Sequence, residues 1–160
     1  MAIPSPYRSL PSERRIELVT HVLKTTREAR AVYAQRLAAR GGGFRAATVM
    51  SWPIDRLAQE VVRLNAESSL DELDLLQTLY VDVDPSIQIT MLDAAGVPHE
   101  HGRMGESLTM PYADEATVRR AAEAVRAAHG EDGERYLRTL ARYGVEGWPG
   151  IGAIVTERAG

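Results

Sequence analysis

A chain of 160 residues with 44% hydrophobic and 26% charged side chains and a net charge of -3 has the make-up of one globular domain. That balance excludes intrinsic disorder, which needs low hydrophobicity joined to high net charge. The absence of cysteine excludes disulfides, thiolate nucleophiles and thiolate metal sites together, and suits a reducing, cytoplasmic compartment.

Residues 1–11 hold three prolines and read as an extended arm, with no basic stretch leading into an apolar run of the signal-peptide kind. Ser12 is placed to cap a helix whose apolar positions Ile16, Val19, Val22 and Leu23 recur at spacings of three and four. Thr25 and Glu28 have capping-box spacing, and Ala29, Val32, Tyr33 and Leu37 continue the stripe. The pattern over 12–40 fits one helix or two, stopped by Gly41-Gly42-Gly43. After a short apolar stretch, Pro53 begins a helix that presents Ile54, Leu57, Ala58, Val61 and Leu64. Ser69 with Glu72 forms another capping box, ahead of Leu70, Leu73, Leu76, Leu79 and Tyr80. Asp84-Pro85 starts the next helix, with Ile87, Met91, Leu92 and Ala95 inward and Gly96 as its stop.

Residues 96–113 form one long irregular loop, and loops beyond about 12–15 residues often have a task. Asp114 caps a helix carrying Val118, Ala121, Ala122 and Val125 that Gly130 ends. A last helix shows Tyr136, Leu137, Leu140 and Tyr143 and stops at Gly144. Trp148 docks the following segment, and residues 151–160 read as a tail that frays. The predicted fold is therefore all-α: a single helical domain over 12–150 of about six helices, soluble, with no apolar run that spans a membrane.

Charge is unevenly distributed. Residues 1–45 hold nine basic and three acidic side chains, and residues 46–115 hold three basic and thirteen acidic ones. A net +6 segment and a net -10 segment permit contacts between copies, or attraction of the first to a polyanion. Several spacings imitate chemical sites and stop short. His99-Glu100-His101 places two histidines two apart rather than four, with no third ligand. Asp82, Asp84 and Ser86 open like a calcium loop, but Ile87 stands where glycine is required and Asp93 where a bidentate glutamate belongs. Gly105-Glu106-Ser107-Leu108-Thr109 lacks the last glycine of a nucleophile elbow. Arg40-Gly41-Gly42-Gly43-Phe44-Arg45 lacks the Lys-Ser/Thr ending of a P-loop. No metal, cofactor or catalytic set is expected, and the reading leans away from an enzyme.

Two contact readings follow, and a third stays open. The first is a non-enzymatic protein-interaction or assembly module, binding itself or another protein, with Tyr33, Trp52, Met104, Met110 and Tyr112 as interface residues because aromatics and methionine are enriched in interface cores. In the second, residues 35–53 resemble a helix-turn-helix. Ala39 lies in its first helix, Gly43 in the turn, Phe44 packs just after the turn, and Val49 and Trp52 lie in the second helix. That resemblance implies DNA contact through Arg40, Arg45, Thr48 and Ser51. The third is a ligand-binding or enzymatic helical domain whose site forms only in the tertiary structure.

Overall fold

The protein is described by a computed structural model covering residues 3–40, 43–67 and 72–159. Gly41, Gly42, Ser69, Leu70 and Asp71, which carried part of one helix stop and one capping box, lie outside the described residues. The described residues form eight α-helices and no strand: α1 (Ser12–Thr25), α2 (Arg27–Ala39), α3 (Ala46–Met50), α4 (Ile54–Glu67), α5 (Glu72–Thr78), α6 (Ser86–Ala95), α7 (Glu115–Tyr143) and α8 (Ile151–Ala159). None of these helices is long and apolar enough to cross a membrane.

The all-α expectation is met with eight helices in place of six, and each difference has a local cause. Thr26 adopts extended backbone (φ -130°, ψ 102°), so 12–40 is two helices. A short α3 forms before Pro53. Residues 151–159, expected to fray, form α8 because Ile151, Ile154 and Val155 are buried. Gly130 interrupts the helix as expected: at φ 56°, ψ -127° its backbone is non-helical, and α7 is two helical segments joined across a kink there. Asp114 caps α7 as expected, its carboxylate accepting the Thr117 N–H at 2.7 Å. Ser12 is instead the first residue of α1, with Pro11 at the cap position and no side-chain cap bond.

The chain divides into two compact units. Unit 2 comprises residues 10–78. There α1 packs on α2, α4 and α5, and α2 packs on α3 and α4. Leu18, Val19, Ala34, Val49, Leu57, Ala58, Val61 and Leu76 are fully inaccessible in its core. The phase of two stripes differs from expectation. Val32 and Leu73 face outward, and Ala34 and Leu75 take the buried positions.

Unit 1 comprises residues 1–9 and 79–160. Its second segment begins with a π-helical turn, Leu79–Val83, closed by the Asp84 N–H donating to the Leu79 carbonyl at 2.8 Å. Here α7 packs on both α6 and α8. Met91, Leu92, Val118, Ala121, Val125, Tyr136, Leu137 and Ile151 form the core. Leu140 is half-buried and Tyr143 is exposed, so the predicted apolar face ends about one turn early. Tyr80 and Tyr136 meet edge to face with centroids 4.9 Å apart. The arm is not loose. Arg135 donates from Nε to Ser9 Oγ (3.0 Å) and from Nη2 to the Ser9 carbonyl (3.2 Å), and Tyr7 is buried.

Loop 96–113 is anchored at both ends. Gln88 donates to the Gly102 carbonyl at 2.6 Å, and the Tyr112 N–H donates to the Gly147 carbonyl at 3.0 Å. The Tyr112 ring meets Trp148 at 5.4 Å, and a Cβ on Gly147 would sit 2.5 Å from that ring, so only glycine admits this approach.

Candidate functional site

The polar groups that imitate catalytic or metal sites are taken up by structure. His99 Nδ1 accepts the Gly102 N–H at 3.0 Å, which leaves the proton on Nε2, facing Asp93 at 2.6 Å. Both ring nitrogens are thereby occupied, and His101 is exposed with φ 51°. Asp84 bonds Ser86 Oγ at 2.6 Å as a helix-start contact, and Asp82 pairs with Arg103 rather than with Asp84 or Ser86. Thr90 Oγ1 donates to the Ser86 carbonyl and therefore accepts from His129 Nε2 at 2.8 Å, so His129 is no base for that hydroxyl. Among the described residues no group of three or more His, Asp or Glu side chains is placed to hold a metal. Burial pushes the Tyr80 phenol up to about 12 and Tyr136 further up, which keeps both protonated at neutral pH.

The five expected interface residues fall in different surroundings. Tyr33 is buried in unit 2, so its ring belongs to the core. Trp52 is half-buried there. In unit 1, Met104 and Tyr112 are half-buried, Tyr112 against Trp148, while Met110 is 55% exposed. The four expected DNA-contacting residues, Arg40, Arg45, Thr48 and Ser51, are all exposed around α3.

The geometry that stands out lies at the corner where α2, α3 and α4 meet in unit 2. Val49 anchors α3 in the core. Arg30 of α2 reaches under the end of α3 and donates to the carbonyl of Met50 at 2.7 Å, satisfying a group that a helix end leaves without a partner. This holds the Ser51–Pro53 turn in place. On the outside of that turn Trp52 meets Phe44 edge to face, with centroids 5.3 Å apart. The Arg56 guanidinium lies 3.9 Å from the Trp52 centroid and 6.0 Å from that of Phe44. Phe44, the one phenylalanine in the chain, is 45% exposed. It does not pack under a helix-turn-helix as expected, and Trp52 follows α3 rather than lying in it.

Sequence reasoning named Trp52 and did not join Phe44 and Arg56 to it as a cluster. A signal for Arg56 was present, because Trp52 and Arg56 stand four apart across a helix start. Phe44 gave none, since nothing local tells an exposed ring from a buried one. Comparison with protein-family models, curated proteins and solved structures finds no match to this chain.

Proposed function

We propose that the protein is a non-enzymatic helical interaction module of a reducing, cytoplasmic compartment, and that it associates with a second copy of itself through the Phe44–Trp52–Arg56 corner. The observation that carries this reading is the half-exposed Phe44 ring beside Trp52 and beneath a guanidinium. Leaving such a ring in water forgoes about 25 cal/mol for each Å² that burial would remove. Trp and Arg are the side chains most enriched among residues that dominate interface energetics. A self-partner is favoured by charge. Arg56 lies over the rings and exposed Arg45 follows Phe44 in the chain, and residues 46–115 carry the net -10 that would complement them in another copy.

The second reading is DNA contact through Arg40, Arg45, Thr48 and Ser51, favoured by the exposure of all four around one turn of chain. Against it, α3 has five residues, roughly 7.5 Å of helix, which is short of the width of a major groove.

Light scattering during size exclusion distinguishes the two. We expect a dimer at high micromolar concentration that Phe44→Ser or Arg56→Ser converts to monomer. It should persist in about 1 M salt, where charge is screened beyond about 3 Å and apolar contact remains. A monomer in both buffers overturns self-association. Salt-sensitive retardation of mixed-sequence DNA by that monomer would favour the second reading.

A further inference from the structure

Unit 1 carries a cleft of about 590 Å³. It is walled by the arm residues Ile3 and Pro4, by α7 around its kink and by Val155, Thr156 and Arg158 of α8. The volume is within the range of small-ligand sites. Gly130 faces open space, since a Cβ placed on it would meet no atom within 4 Å.

The charged side chains of the cleft divide into two sets. Arg126 is committed. Its side chain is 8% exposed, it holds Glu134 through two nitrogens at 2.7 and 3.2 Å, and it also reaches Glu123 and the Ile154 carbonyl. Arg138 and Arg158 make no hydrogen bond or ion pair with any described residue. Three arginines face two glutamates, Glu131 and Glu134, so the lining has a net positive charge. Glu134 is already neutralised by Arg126. The walls between these groups are apolar: Ile3, Pro4 and Val155.

We propose that this cleft binds a small organic anion, with its carboxylate or phosphate headgroup held by Arg138 and Arg158 and its apolar body against Ile3, Pro4 and Val155. A guanidinium presents paired N–H donors that match the oxygens of either headgroup, and a partly enclosed cleft strengthens such charge-assisted bonds. Arg126 does not bind the headgroup. Its bonds to Glu134, within α7, and to the Ile154 carbonyl of α8 keep the two walls of the cleft in register. This site is independent of the corner in unit 2, so the fate of either proposal leaves the other standing.

The probes are hexanoate, hexyl phosphate and 1-hexanol, added to the intact chain and followed by amide chemical shifts and calorimetry. Binding of hexanoate or hexyl phosphate with Kd near or below roughly 1 mM is expected, with shifts concentrated at Gly130, Glu131 and Thr156. The stronger of the two anions names the headgroup. Hexanol should bind at least roughly tenfold more weakly, because it offers no charge to the arginines. Arg138→Met with Arg158→Met should weaken the anion by a similar factor while leaving the melting temperature unchanged, since neither side chain bonds to any described residue. Equal binding of hexanol, undiminished anion binding by the double variant, or no shift in the cleft with either anion would each overturn the proposal.

Discussion

Replacing Gly130 by alanine tests the kink in α7 without touching any contact. At φ 56°, ψ -127° the backbone is in a region that side chains of L configuration scarcely enter, at a cost of about 1–3 kcal/mol. The added methyl meets nothing within 4 Å, so no steric penalty joins it. Alanine also restricts the unfolded chain, which returns about 0.4–1 kcal/mol. The net loss is therefore about 1–2 kcal/mol, a fall of roughly 0.5–1 M in the urea midpoint for a slope near 2 kcal/mol/M. The two tryptophans lie one in each unit, so a Trp52→Phe background leaves Trp148 as a fluorescence reporter of unit 1 alone. D-alanine at the same position, introduced by semisynthesis, makes the argument two-sided. Its mirror-image preference includes this region, so the strain vanishes and only the gain of about 0.4–1 kcal/mol remains. If L-alanine matched the parent, or D-alanine fared no better than L-alanine, backbone conformation at Gly130 would not be what the kink costs.

Two further outcomes follow from burial. Leu76→Ala should cost about 2–5 kcal/mol, as for a fully buried leucine, whereas half-buried Leu140→Ala should cost roughly 1–2 kcal/mol, both read from urea melts; equal losses would refute the assigned depths. Tyr80 and Tyr136, raised by burial, bind their protons more tightly when folded than when unfolded, so their contribution is complete below pH 10 and is lost as pH rises through about 12 for Tyr80. Absorbance titration near 295 nm should find both phenols un-ionised until unit 1 unfolds; ionisation of all six tyrosines near pH 10 in a folded chain would contradict it.

Much of the fold was legible because helices advertise themselves locally. Asp114 before an apolar stripe, Gly96 in the left-handed conformation (φ 70°) after α6, and Pro53 between α3 and α4 each act through neighbours a few residues away. What sequence could not give is decided at long range. Residues 151–159 look like a tail until Ile151, Ile154 and Val155 find a core to enter. Val32 and Leu73 match the apolar period and still face water, because the period fixes a stripe and the neighbouring helices choose its edge.

The arginines show why the site was harder to read than the fold. All but one of the nineteen basic residues are arginine, and by composition they are interchangeable. In the structure they are not. Arg135 is fixed through Ser9, 126 residues away in sequence, and Arg126 through Glu134 and the Ile154 carbonyl. These buried guanidinium groups fasten segments together, and breaking such a pair leaves a buried charge without compensation. Arg56 lies over half-buried Trp52 and exposed Phe44, while Arg138 and Arg158 line a cleft with no partner among the described residues. Whether an arginine fastens or recognises depends on what the rest of the chain brings to it. That pairing is a property of the tertiary structure, so the arginines with unmet bonding capacity are where a partner or an anionic ligand has something left to bind.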